Sequence, residues 1–417
     1  MKKFLKNYKQ TILLLGSLVV GCIVGLILKE KATVFNPFGE LFMNLMFVLI
    51  VPLIFLTVCT SIAKIKTPKR LGKLLSSIVF VFLITSIVAL IIGLATTLFV
   101  PLVKTDSYTM VMEQTYETED TELELNLLER TVSAISTNDF YKLLSKENLL
   151  ALVLFAILVG VAINKTGKDG QRLLEFLESS NTVVLKLIDL CFIYAPIGLG
   201  CYFASLIGTY GESIATGFLK TFVIYLIVSI LFYFIIYSLY AYLSGGKKGF
   251  KLFWKHIFAP TATSIATCSS AASIPINVKS AKEMGIPNDI AETTIPLGTS
   301  FHKDGSIIGS VFKIMFLVYL FQLDIYSIGT FSKIITTAFL ANLLVTAVPV
   351  GGGTISEMLI LTLMGFPISA LPILTIIATI IDAPATMLNV VGDTSSSMLV
   401  TRILHGKDWC NQKNREL

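Results

Sequence analysis

Long apolar stretches alternate along the chain with short charged ones. Apolar runs near 11–29, 38–63, 75–103, 148–164, 182–210 and 218–244 predict helices, since about 20 such residues cross a hydrocarbon layer. Several runs are longer than that, which predicts tilt. Few charges interrupt these six, and they read as a scaffold. Beyond residue 252 the pattern changes. Thr261 to Pro275 reads TATSIATCSSAASIP, and Ala347 to Glu357 reads AVPVGGGTISE. Each sets a Ser- or Gly-rich centre between helical flanks, and neither is a continuous span. Irregular backbone is tolerated at membrane depth only where protein buries it or where it lines a cavity. Two re-entrant hairpins are therefore predicted, one entering from each side. A helix follows each, near 287–321 and 368–403. Hairpin and helix, repeated, is the pattern of an inverted repeat with a binding site near the midplane. No clear identity links the two halves, and either small-residue run alone would also suit close helix packing.

Both late helices carry polar clusters. Asp382, Thr386, Asn389 and Asp393 are spaced by four, seven and eleven from the first. At about 100° per residue they share one helix face. His302-Lys303-Asp304-Gly305-Ser306 interrupts the other helix. A carboxylate inside a bilayer costs several kcal/mol unless it faces protein, water or an ion. Intramembrane aspartates therefore point to a site for a cation or a polar solute.

Composition supports the membrane reading. The 417 residues are 54% hydrophobic and 14% charged, with mean hydropathy +0.79, against about 25% charged in soluble proteins. The net charge of +6 reports topology rather than nucleic acid. Lys2, Lys3, Lys6 and Lys9 precede the first run. Lys64, Lys66, Lys69, Arg70 and Lys73 follow the second, Lys165, Lys168 and Arg172 the fourth, and Lys247, Lys248, Lys251 and Lys255 the sixth. Basic residues on alternate loops place those loops, and both termini, in the cytoplasm. The acidic loop around 104–147, with Glu113, Glu117, Glu119, Asp120, Glu122 and Glu124, falls outside. Thr11 to Leu28 is longer than a signal-peptide core and has no A-x-A site, so it reads as a retained first helix. The six cysteines (Cys22, Cys59, Cys191, Cys201, Cys268, Cys410) form no CxxC pair and read as packing residues.

Enzyme chemistry finds little support. No GxSxG, P-loop or HExxH is present. Asp382 and Asp393 lie eleven residues apart on one helix, about 16 Å along its axis, too far to share a proton as an aspartyl dyad does. A channel is the third class, and saturable, substrate-driven counterflow would separate it from a transporter.

The segments TCSSAASIP, IPLGTSFHKDGS, AVPVGGG and IIDAPATMLNVVGD together resemble the signature regions of the dicarboxylate/amino acid:cation symporters, the glutamate transporter family. The resemblance is strong over about 250–405. It implies an all-α membrane protein with eight transmembrane helices and two re-entrant hairpins, assembled as a homotrimer and working by an elevator motion. Residues 1–250 would be mainly scaffold and trimerisation helices, the third and sixth contributing to the transport domain. Residues 251–405 would form the transport core and 406–417 a cytoplasmic tail. By the same resemblance, Asp382 holds a substrate ammonium, with Thr386 and Asn389 beside it. Ser269 and Ser270 form the first hairpin tip, which meets the substrate carboxylate. Val348, Pro349 and Gly351 form the second tip, the gate. Gly298, Asn389 and Asp393 belong to one sodium site, and Thr85, Ser86 and Asp304 to another.

The departures are informative. Ala385 and Ala383 stand where members that bind acidic substrates carry arginine, and Cys268 replaces an arginine of the first tip. An unpaired buried carboxylate costs several kcal/mol, so a small neutral amino acid is the expected substrate. The alternative is a dicarboxylate or acidic amino acid, with Lys303 as its cation. His302-Lys303 stands where the family has Asn-Met, and Phe82 replaces a tyrosine. Lys303, a tethered monovalent cation, is expected to sit at or beside a sodium position and neutralise Asp304 or Asp393. Coupling is expected to Na+ at Asp304, Asn389 and Asp393, or to H+ carried by Lys303 or His302, with uncoupled exchange as a further alternative. No other cofactor, no catalytic residue and no nucleic acid partner is expected. The expected location is the plasma membrane.

Overall fold

The computed structural model describes residues 2–63, 72–103, 136–145, 148–210, 212–343 and 352–411. The acidic segment 104–135 and the basic segment 64–71 lie outside them. Among the described residues the chain is helical throughout, without a strand. Helices α1 (Lys2–Leu28) and α2 (Asn36–Ala63) are joined by a 3-10 segment, Lys29–Phe35. They are followed by α3 (Gly72–Phe99), α4 (Leu149–Thr166) and α5 (Lys168–Tyr210). Gly167 separates the last two at φ +66°, a conformation that costs glycine little. Helix α5 begins well before the apolar run at 182. Its first turns are polar but rich in Lys, Glu, Gln and Leu, which favour helix wherever they are solvated.

Helix α6 (Glu212–Leu231) passes through a π turn, Phe232–Ile236, into α7 (Tyr237–His256), which kinks at Gly245 and Gly246. Two short helices, α8 (Phe258–Thr267) and α9 (Ser270–Glu283), then pack against each other as a hairpin. Helices α10 (Asn288–Phe301) and α11 (Asp304–Leu320) follow. A second pair, α12 (Ile328–Leu343) and α13 (Gly352–Met364), also packs together. The last long helix is α14 (Leu371–His405). Among the described residues three stretches are long and apolar enough by themselves to cross a membrane: Lys73–Phe99, Ile214–His256 and Ile368–His405.

Helix α14 is the hub, packed against α3, α6, α7, α8, α9, α10 and α11. Leu388, Val391, Met398 and Val400 on it are fully buried. So are the small residues Ser395, Ser396 and Ser397, which let neighbouring backbones come close where lipid offers no hydrophobic drive. Helices α1 and α2 pack on α5, and α3 packs on α11. Large apolar side chains such as Val48, Phe99 and Ile193 point outward. An exposed apolar surface of this extent suits contact with lipid.

Candidate functional site

The first hairpin tip is built by local capping. Helix α8 ends at Cys268 in the left-handed region, φ +46°. The next residue, Ser269, is extended, and its Oγ accepts the Ala272 N–H at 3.2 Å, an N-cap that satisfies one orphan donor of α9. Ser269 and Ser270 are both half-buried at this tip. The Cys268 thiol reaches across to the Asp382 carboxylate.

Along α14, Asp382, Thr386, Asn389 and Asp393 descend from surface to core. Asp382 is exposed, Thr386 and Asn389 are buried, and Asp393 is fully buried. Thr386 Oγ1 donates to Asp382 Oδ1 at 3.4 Å. Asn389 Oδ1 accepts the Ser306 N–H at 3.1 Å, and its Nδ2 donates to Ser306 Oγ at 3.0 Å. An asparagine amide has two N–H donors, and among the described residues one of them is used. Ala385 is buried, and Ala383 is half-buried. Helix α14 carries no lysine or arginine before Arg402.

The break between α10 and α11 is narrower than the Gly298–Ser306 segment invites. Only His302 and Lys303 leave helical geometry. His302 N–H still donates to Gly298 O at 2.8 Å, and Ile307 N–H donates to Lys303 O at 2.9 Å. The extended pair turns the His302 ring into the core, where it is fully buried. Its Nδ1 lies 3.1 Å from Asp393 Oδ1. Its Nε2 lies 2.7 Å from Thr85 Oγ1 and 3.0 Å from Asp304 Oδ1. Phe82 stacks on the ring with centroids 4.5 Å apart. Asp304 Oδ1 meets Nε2 at ion-pair distance yet out of line for a hydrogen bond, and makes none among the described residues. Asp304 Oδ2 lies 3.2 Å from the Tyr237 hydroxyl, which donates to Leu388 O at 2.6 Å. Thr299 Oγ1 donates to Asp393 Oδ2 at 3.3 Å. Lys303, next in the chain, feels the charge of Asp393. Ser86 is buried but makes none of these bonds.

Two glycines make this packing feasible. A Cβ on Gly298 would land on the Asp393 carboxylate. One on Gly392 would stand 2.8 Å from Asp304 Oδ2 and 3.0 Å from the Tyr237 oxygen.

The structure thus sets Asp382 beside Thr386 and the Cys268 thiol of the first tip, with Asn389 further along the same helix on Ser306. It gathers Thr85, Gly298, His302, Asp304 and Asp393 into a second, deeper cluster. Val348, Pro349 and Gly351 lie outside the described residues. Sequence reasoning missed a further buried ion pair. Lys313 Nζ lies 3.7 Å from Glu357 Oε1, and Thr375 Oγ1 donates to Glu357 Oε2 at 2.8 Å. Nearby, Asn342 Nδ2 donates to Ser310 Oγ at 2.9 Å. A lone lysine within SVFKIMFLVYL and a glutamate within TISEMLI were the available signals, because an ionisable residue in an apolar run marks function by default.

Known proteins resemble this chain over most of its length. The sodium:dicarboxylate symporter family pattern matches residues 11–403. The proton/sodium-glutamate symport protein of Geobacillus stearothermophilus is 24% identical over 419 residues, 96% of this chain and 94% of that protein. The neutral amino acid transporter B(0) of Oryctolagus cuniculus is 28% identical, covering 91% of this chain and 74% of that protein. The neutral amino acid transporter A of Homo sapiens is 31% identical over 253 residues, 59% of this chain and 46% of that protein. The match spans nearly the whole chain and includes every element that builds both clusters: the chain belongs to the sodium:dicarboxylate symporter family and is a membrane transporter, not an enzyme.

Proposed function

We propose that this chain is a cation-coupled secondary active transporter for a small neutral amino acid, located in the plasma membrane with both termini cytoplasmic. It works as a homotrimer of eight transmembrane helices and two re-entrant hairpins in each protomer, by an elevator motion. Residues 1–250 supply mainly the scaffold, residues 251–405 the moving core and residues 406–417 the tail. Asp382 holds the substrate ammonium. The second Asn389 N–H and the Ser269-Ser270 tip hold the carboxylate, and the Val348–Gly353 turn gates. The coupling ion is Na+ or H+. The relatives' names include both glutamate and neutral amino acid transporters, so the substrate class is argued from the pocket.

One observation carries that choice. Asp382 is exposed beside the Cys268 thiol, on a helix with no cation before Arg402. Once the tips close over the substrate, a second substrate carboxylate would be desolvated there with no cation from this helix to pair it, at a cost of several kcal/mol. Lys303, the cation of the alternative reading, feels the charge of Asp393. The test is uptake of serine and of aspartate into proteoliposomes under sodium or proton gradients. Serine should be taken up and aspartate should not, and aspartate uptake with serine-like efficiency would overturn the reading. Asp382→Asn replaces a charge-assisted hydrogen bond worth about 1.5–3 kcal/mol with a neutral one. Serine affinity should fall roughly tenfold or more, at about 1.4 kcal/mol per tenfold.

A further inference from the structure

The family's name and the resemblance both lead one to expect sodium at the Asp304 and Asp393 carboxylates. The side chains present there fit it poorly. A hard cation such as calcium wants six or more oxygens at about 2.3–2.6 Å, and sodium is a hard cation of nearly the same radius. Here the atoms facing Asp304 Oδ1, Asp393 Oδ1 and Thr85 Oγ1 are the two nitrogens of one imidazole, at 3.0, 3.1 and 2.7 Å. The ring fills the space between these oxygens. Nδ1 faces Asp393 Oδ1, and Nε2 faces both Thr85 Oγ1 and Asp304 Oδ1. Phe82 lies flat on one face of the ring, at 13°. Asp304 Oδ1 has no hydrogen bond of its own among the described residues and looks onto Nε2 rather than onto open space.

We propose that the His302 ring occupies the place between Asp304, Asp393 and Thr85 that a cation would need, and that these carboxylates consequently do not take sodium. His302 is then the residue that sets cation specificity. The inference rests on the transporter reading for its consequence, sodium-independent uptake through this site, but its test needs no substrate. Thermal unfolding of the purified protein is followed as sodium replaces choline at constant ionic strength. A ligand that binds the native state raises Tm saturably.

Any sodium response of the wild type should survive Asp393→Asn unchanged, because no sodium sits on that carboxylate. His302→Asn, which removes the ring and leaves an oxygen ligand, should gain a saturable rise of several degrees. Adding Asp393→Asn to that variant should abolish the gain. A saturable wild-type response that Asp393→Asn removes overturns the proposal. So does a folded His302→Asn protein whose sodium response matches the wild type. Should His302→Asn fail to fold, the comparison of wild type with Asp393→Asn still decides. Absence of serine uptake under every gradient would count against the substrate reading and leave the sodium titration standing.

Discussion

Lys313 and Glu357 offer a direct energetic test of the packing of the second hairpin. Lys313 lies on α11 and Glu357 on α13, with side chains 7% and 1% exposed. At 3.7 Å and an effective dielectric near 20, their attraction is roughly 4 kcal/mol. That offsets a desolvation penalty of several kcal/mol per ion. The net value of the pair is therefore small, whereas the cost of breaking it is not. Lys313→Met leaves Glu357 with Thr375 as its remaining hydrogen bond and should cost about 3–5 kcal/mol. Glu357→Leu strands the ammonium at similar cost. The double variant removes both charges, and Thr375 keeps its bond to Leu371 O at 3.1 Å. It should return to within about 1 kcal/mol of the wild type or exceed it. The four proteins form a double-mutant cycle, read by unfolding in mixed micelles. Single variants each within about 0.5 kcal/mol of the wild type, the range of surface substitutions, would show that the pair is not a desolvated ion pair.

Two further outcomes follow from the deeper cluster. Gly392→Ala drives a methyl group against Asp304 Oδ2 and the Tyr237 hydroxyl and should cost about 1–3 kcal/mol, seen as a lower Tm; an unchanged Tm would mean that the cluster is loosely packed. Tyr237→Phe removes the 2.6 Å bond to Leu388 O, a carbonyl that keeps its helical partner, so it should lose only about 0.5–1.5 kcal/mol; the same unfolding assay checks it.

Much of this molecule is written locally in its sequence. Apolar runs of bilayer length fix where α1 to α7 lie, because the cost of exposing peptide groups to lipid is paid residue by residue. The period of 3.6 by itself puts Asp382, Thr386, Asn389 and Asp393 on one helix face. Composition was a poorer guide to ends: α5 begins at Lys168, where polar helix formers carry it past the apolar run. The partners of the charged side chains were not legible. The sequence reading set Lys303 at a sodium position, neutralising Asp304 or Asp393; Lys303 feels the charge of Asp393, and the His302 ring lies between the two aspartates. Thr85 comes to this ring from 217 residues away and Asp393 from 91. The pairing of Lys313 with Glu357 joins α11 to α13 in the same way. Hydrogen bonds and ion pairs act over a few ångströms and in fixed directions, so the choice of partner is made by which helices pack together and how they are rotated. The sequence determined which residues must be buried and polar, and only the tertiary packing decided which of them touch.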